Sequence, residues 1–141
     1  MKILLTGLLL ALCASGCGQA PDAPLVVSDL DIRAPRPGTQ MGAAYLTLVN
    51  GQDEALTITR VTSPQFAAVE LHESVEEDGV ARMRALPALE IGPGETMRLA
   101  PGGKHLMLMR PVANDGAAAT TLNFWSGETL LVSVTAEADA G

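Results

Sequence analysis

The sequence predicts an all-β domain, a sandwich or barrel built from short strands. Runs of four to eight residues rich in Val, Ile, Leu and Thr recur along the chain, separated by turn residues drawn from its 14 glycines and 9 prolines. Regular short strands with such punctuation are typical of sandwiches and barrels. No stretch of ten or more residues has the 3.6-residue period of an amphipathic helix.

The candidate strands follow one another closely from residue 26 onward. They cover residues 26–32, 43–49, 55–61, 67–74, 80–86, 96–99, 105–110, 120–124 and 129–136. Within 43–49, Tyr45 and Thr47 alternate with Leu46 and Leu48, which is the two-residue period of a strand with one buried face. Asn50-Gly51 is a turn signal. We expect the apolar strand faces to fill one core together with Leu131, Val132 and Val134.

The N-terminal residues 1–17 are predicted to be a lipoprotein signal peptide. Lys2 precedes an apolar run over 3–13 that is too short to span a bilayer as a mature helix. Ala14-Ser15-Gly16-Cys17 resembles a bacterial lipobox, which implies cleavage before Cys17 and acylation of its thiol. The alternative is cleavage by ordinary signal peptidase, leaving a soluble protein. Residues 18–24 would form a tether, and residues 25–141 one domain in the periplasm, anchored to a membrane.

Cysteine content and charge exclude several classes of function. Cys13 and Cys17 are the only cysteines, so the domain is expected to contain no disulfide, zinc finger, cysteine nucleophile or blue-copper thiolate. Without Lys2 the side chains carry 8 basic and 16 acidic groups, a net charge of −8. This acidity disfavours nucleic acid as a partner. We do not expect an enzyme, since no His lies in a recognisable nucleophile arrangement.

Both histidines of the chain belong to one spaced set with two methionines. Ten residues separate His72 from Met83, 21 separate Met83 from His105, and one separates His105 from Met107. Imidazole nitrogen and thioether sulfur form a soft, neutral donor set that suits Cu(I) and not Ca(II) or Mg(II). Methionine on a strand is more often core filler, which is our interpretation of Met41 and Met97. Met109 shares the face of the predicted ligands but lies farther from His105.

Strand periodicity predicts how the four side chains meet. A four-residue loop at residues 76–79 would place His72 directly opposite Met83, and Glu73 opposite Arg82. His72 would lie on the strand face opposite Leu71 and point away from the core. His105, Met107 and Met109 would share the outer face of the next predicted ligand strand. The sequence therefore predicts an accessible metal site on outward strand faces.

The chain resembles a known family in these same residues. The spacing His72-x10-Met83-x21-His105-x-Met107, with segments 42–48, 69–73 and 101–109, is similar to that of the periplasmic PCu(A)C-type copper chaperones over roughly residues 25–136. The resemblance implies a cupredoxin-like Greek-key β-sandwich or barrel that binds Cu(I) through these four side chains. It also implies copper delivery to the CuA site of cytochrome c oxidase or to another copper chaperone.

Two other functions remain open at this point. The protein would act as a copper-sequestering buffer or resistance lipoprotein if it had no dedicated acceptor. It would be a plain β-sandwich interaction domain if its metal binding were incidental. The sequence does not separate delivery from storage, because both need the same soft ligands.

Overall fold

A closed β-barrel forms the centre of the molecule. The computed structural model describes residues 23–112 and 119–139, which form eleven strands and no helix. The strands are β1 Leu25–Arg33, β2 Met41–Asn50, β3 Leu56–Ile58, β4 Arg60–Ser63, β5 Phe66–Glu77, β6 Val80–Ala85, β7 Leu89–Ile91, β8 Thr96–Leu99, β9 Lys104–Pro111, β10 Ala119–Ser126 and β11 Thr129–Asp139.

Seven of these strands close the barrel in the order β1-β11-β10-β4-β5-β9-β2, and β2 pairs with β1 to complete the ring. The β1–β11 pairing is parallel and the other pairings around the ring are antiparallel. Strand β8 adds to β2, and β6 adds to β5. Strands β3 and β7 form a separate two-stranded sheet. The predicted all-β barrel is confirmed.

The chain changes sheets at Thr59, where a single strand over 55–61 was predicted. The Thr59 N–H donates to the Trp125 carbonyl at 2.9 Å, and this bond separates β3 from β4. Strand β3 pairs with β7, whereas β4 pairs with β5 and β10. The prediction missed β7, because three residues are too few to show a period.

The core fills the barrel with aliphatic side chains and the two aromatic rings of Phe66 and Phe124. Leu48, Leu108 and Leu122 are fully buried, and Phe124 is 1% exposed. Half-buried side chains of β11 complete the packing, including the predicted Leu131, Val132 and Val134. Met97 packs against this core as expected. Met41 does not, since it is 56% exposed at the start of β2.

The β5–β6 hairpin has a register two residues away from the predicted one. Its turn has only two residues, Asp78 and Gly79, and both have positive φ angles, 53° and 74°. Two such residues match the right-handed twist of the flanking strands. Glu77 therefore pairs with Val80, and His72 lies opposite Ala85 and not opposite Met83. The four-residue loop was wrong, because Glu76 and Glu77 continue the ladder.

The sequence places a turn at Asn50-Gly51, and the structure gives Asn50 a further role. Its fully buried side chain donates through Nδ2 toward the carbonyl oxygens of Glu54, Ile91 and Gly92, at 2.7, 3.0 and 3.0 Å. Its Oδ1 accepts from the Gln52 N–H at 2.9 Å. This side chain ties the end of β2 to β7 and the loop that follows it.

The predicted signal peptide, including Cys17, lies outside the described residues, as does most of the tether. Pro24, at the tether's end, accepts a hydrogen bond from the Gly51 N–H at 3.3 Å. Within residues 23–112 and 119–139, no helix is long and apolar enough to cross a bilayer.

Candidate metal centre

The two histidines face each other across neighbouring strands of the barrel. His72 on β5 is the direct register partner of His105 on β9. Their ring centroids are 6.1 Å apart, and the Tyr45 ring on β2 lies 6.3 Å from that of His105. Directly opposed residues share one face of a sheet. The fold therefore brings together imidazoles that are 33 residues apart in the chain.

The two imidazoles are less exposed than the sequence predicts. Leu106 and Leu108 fill the barrel interior, so His105 and Met107 lie on its outer face. Nevertheless His105 is only 4% exposed, with the rings of Tyr45 and His72 on either side. The His72 side chain is 18% exposed. The expectation of an open site is wrong for His105, because neighbouring aromatic rings cover the outer face at this point.

Hydrogen bonds determine which ring nitrogens are available to a ligand. Nδ1 of His105 lies 2.9 Å from the Gly103 carbonyl, which only accepts, so in the neutral ring Nδ1 carries the proton and Nε2 a lone pair. Nε2 of His72 lies 3.0 Å from Oε2 of Glu70, so its lone pair is on Nδ1. That Nδ1 is buried and has no partner, alone among the side-chain N and O atoms of the described residues.

Met107 lies beside this pair on the same face. It is half-buried and opposes Glu70 on β5 and Ala43 on β2. Its position, two residues from His105, makes it a diagonal neighbour of His72. Diagonal neighbours in a sheet are about 7–8 Å apart, which a flexible methionine side chain can span.

Met83 lies on the other side of His72. It lies on β6, opposes Ser74 on β5 and is 54% exposed. The two-residue register shift keeps Met83 on the face of His72, because side chains alternate along a strand. Direct opposition is nevertheless lost, and Met83 becomes a diagonal neighbour of His72. The structure thus clusters His72, His105 and Met107, and leaves Met83 at an exposed position next to them.

The chemistry of the donor set fits a soft monovalent ion. The described residues contain no cluster of three or more His, Cys, Asp or Glu side chains that could hold a metal. The available atoms are two imidazole nitrogens and nearby thioether sulfurs, a set that favours Cu(I) over hard cations. Glu70 and the Gly103 carbonyl orient the two rings, as outer partners of metal-binding histidines usually do.

Sequence reasoning did not identify these two orienting groups. Glu70 lies two residues before His72 on the same strand face, so strand alternation was a usable signal for it. The Gly103 carbonyl gave no signal, since a main-chain oxygen has no residue type. The same carbonyl also accepts from the Ser74 N–H at 3.1 Å, which fixes its position beside β5.

An ion-pair cluster ties together the strands that carry the candidate ligands. Glu73 on β5 accepts from Arg84 on β6 at 2.8 Å and from Lys104 on β9 at 3.1 Å. Hydrogen bonds from Arg84 and then Lys104 lower the pKa of the Glu73 carboxyl. The predicted Glu73–Arg82 pair is wrong, because the register shift places Arg84 opposite Glu73. Arg82 instead lies 3.5 Å from Glu77.

This cluster should make stability depend on pH in the acid range. A carboxyl with a lowered folded-state pKa stabilises the fold above its unfolded-state pKa, and the contribution disappears as pH falls through the folded-state pKa. We expect Glu73→Gln to reduce the loss of stability between about pH 5 and pH 3. Urea midpoints across this range measure the effect. Glu90→Gln, at an exposed position of β7, is the control. If Glu73→Gln loses as much stability as the wild type over this pH range, the lowered pKa of Glu73 would be contradicted.

Comparison with known proteins identifies the family. Residues 25–136 match the family described as "LpqE-like: Putative lipoprotein LpqE-like". The chain belongs to this LpqE-like family. A protein of Leifsonia xyli subsp. xyli (strain CTCB07), named "Putative lipoprotein", is 34% identical over 101 residues, which cover 69% of this chain and 61% of that protein. The chain therefore spans less than two thirds of this relative.

Solved structures share the fold of this LpqE-like protein. The copper-bound PCuAC domain from PmoF2 superposes with a TM-score of 0.66 at 22% identity, covering 84% of this chain and 94% of that domain. Apo-DR1885 from Deinococcus radiodurans superposes with a TM-score of 0.59 at 23% identity, covering 100% of this chain and 95% of that one. The resemblance to the PCu(A)C-type copper chaperones, inferred from the sequence, is confirmed for family and fold.

Proposed function

We propose that this LpqE-like protein is an extracytoplasmic, non-catalytic carrier of Cu(I). The observation that supports this most strongly is the facing pair of His72 and His105. One of its nitrogens, Nδ1 of His72, is buried without a partner. A buried polar atom without a hydrogen bond destabilises a fold unless a ligand satisfies it. Membership of the LpqE-like family and the copper-bound PCuAC neighbour make copper the expected ion.

The proposed ligands are His72, His105, Met107 and Met83. Thioethers bind Cu(I) without losing a proton and hold it softly. His105 is 4% exposed and Met83 is 54% exposed, so the set has a covered end and an open one. In a transfer reaction the open end meets the acceptor first. Exchange of Met83 for an acceptor ligand would then begin the transfer while His105 still holds the ion.

Titration under anaerobic conditions tests the metal assignment. The protein competes for Cu(I) with a chromophoric chelator of known affinity, and we expect one tightly held ion per chain. X-ray absorption of that form should show both nitrogen and sulfur scatterers. A copper shell of nitrogen and oxygen alone would contradict the assignment of Met83 and Met107. No competition with the chelator would leave the plain interaction domain as the function.

A transfer experiment separates delivery from storage. The copper-loaded protein is mixed with the apo CuA domain of cytochrome c oxidase, whose absorption and metal content are then followed. We propose this domain as the acceptor on the family resemblance. Copper movement to the CuA domain at a rate above that of chelated copper supports delivery. Retention of copper by the carrier would support the buffer or resistance function.

We also propose that Cys17 anchors the protein to a membrane on the periplasmic side. The family and the Leifsonia relative are both described as lipoproteins. Cys17→Ser should move the protein from the membrane fraction to the soluble fraction and leave the Cu(I) affinity of the purified protein unchanged. Lipid needs a thiol to attach, whereas the proposed copper ligands lie at residue 72 and beyond. Membrane fractionation that survives this substitution would show that Cys17 is not the anchor.

A further inference from the structure

Met41, like Met83, is exposed and does not pack against the core. Its 56% exposure at the start of β2 leaves a thioether on the outer face of the barrel. Its direct register partner is Met109 on β9. Directly opposed residues have Cβ atoms about 4.5–5.5 Å apart on one face, so two flexible thioethers at these positions can reach a common point.

Met107 connects this pair to the candidate metal centre. It lies two residues from both His105 and Met109, on the same strand face. Met41 and Met107 also line one largely apolar cavity of about 310 Å³, together with Ala43, which lies opposite Met107. Ala43 is two residues from Met41 on the same strand face, and its small side chain adds only a methyl group beside the two methionines. Two of the three thioethers therefore line open space next to the histidine pair, and the third, Met109, lies directly opposite Met41 on the same face.

The chemistry of this surface selects a soft ion and predicts weak binding. Thioethers are neutral sulfur donors that prefer Cu(I) to harder ions. Arg33 and Arg36 also line the cavity, and a nearby positive charge opposes a bound cation. Asp31 lies 2.8 Å from Arg33 and compensates part of this charge. The missing imidazole and the residual repulsion should make binding here at least ~10-fold weaker than at the histidine pair.

We propose that Met41 and Met109, with Met107 shared between the two centres, form a second and weaker Cu(I) site. It rests on the proposed function only for the identity of the ion. An ion at this site would be one side-chain movement of Met107 away from the histidine pair. The second site is therefore a point of entry to, or departure from, the first.

The test follows the methionine methyl groups during anaerobic titration of the full chain with Cu(I), which is diamagnetic and suits NMR. The protein carries ¹³C-labelled methionine methyls, assigned by single Met→Leu variants. We expect the Met107 methyl to move with the first ion, and the Met41 and Met109 methyls to move with the second. Met41→Leu conserves volume and should remove the second step. Met97→Leu, in the half-buried core, should keep both steps.

A double variant, His72→Ala with His105→Ala, keeps this test independent of the first site. In that background the Met41 and Met109 methyls should still move on addition of Cu(I). Met41 and Met109 methyls that stay unmoved in excess Cu(I) would overturn the second site and leave the first intact. The same holds if Met41→Leu still takes up the second ion. A wild-type titration that shows the movement of the Met41 and Met109 methyls but no earlier movement of the Met107 methyl would instead count against the histidine pair.

Discussion

His105→Ala is expected to lower the affinity for Cu(I) by more than ~100-fold, beyond the 10- to 100-fold loss that follows removal of an outer-shell partner. The substitution removes the more buried of the two imidazoles. In this ring the hydrogen bond from Nδ1 to the Gly103 carbonyl leaves the lone pair on Nε2, where it can bind a metal. Anaerobic competition with a Cu(I) chelator measures the change. An affinity within a few-fold of wild type would mean that His105 is not a ligand.

The pH dependence of the same titration separates loss of a ligand from general damage. Imidazole binds metal only when neutral, so protons compete with copper for His72 and His105 in the acid range. The limiting slope should approach two protons released per Cu(I) in the wild type and one in His105→Ala. Thioethers do not titrate there, so Met83→Ala should lower the affinity and keep the slope of two. Wild-type affinity that is independent of pH down to about pH 5 would exclude both histidines.

Asn50→Ala is expected to lower the free energy of unfolding by about 3 kcal/mol, at the upper end of the cost of leaving buried groups unpaired. The variant deprives the carbonyls of Glu54, Ile91 and Gly92 of their donor. For a domain of this size the loss corresponds to a Tm decrease of about 10 °C. Urea unfolding followed by the fluorescence of the single Trp125 measures it.

Asn123→Ala is the matched control for this experiment. Asn123 lies half-buried on β10, and its Oδ1 accepts from the exposed Ser133 hydroxyl at 2.6 Å. Its removal should cost about 1 kcal/mol or less. Asn50→Asp, similar in shape, lacks the N–H donors and should destabilise at least as much as Asn50→Ala. Equal stability of Asn50→Ala and Asn123→Ala would show that the buried amide does not secure the β3–β7 sheet.

Much of the barrel could be predicted because strand periodicity is a local property. Residues 96–99 were predicted with the bounds of β8, and the other predicted runs overlap strands with differences at their ends. The errors occur where contacts between residues far apart in the chain determine strand boundaries and burial. Thr59 separates β3 from β4 through its bond to Trp125, 66 residues away. Met41 looked like core filler by residue type, but its place at the start of β2 leaves it exposed.

The register of the β5–β6 hairpin likewise combines features that the local sequence predicts with one that it does not. The sequence identified the turn region and the face of Met83 but not which residues pair. Both a two-residue and a four-residue loop fit the acidic segment before Gly79, and they differ by two positions. A shift of two preserves the strand face, so the face was predicted correctly while the partner of His72 was not.

The sequence by itself determined the kinds of donor atom, their strand faces and the near absence of cysteine from the chain. Each of these follows from residue type or from alternation along one strand. Only the tertiary structure decided that His72 meets His105, because their pairing joins segments 33 residues apart. It also decided that His105 is covered and that Nδ1 of His72 is left without a partner. Burial and hydrogen-bond satisfaction depend on which strands close the barrel, and no local pattern encodes that.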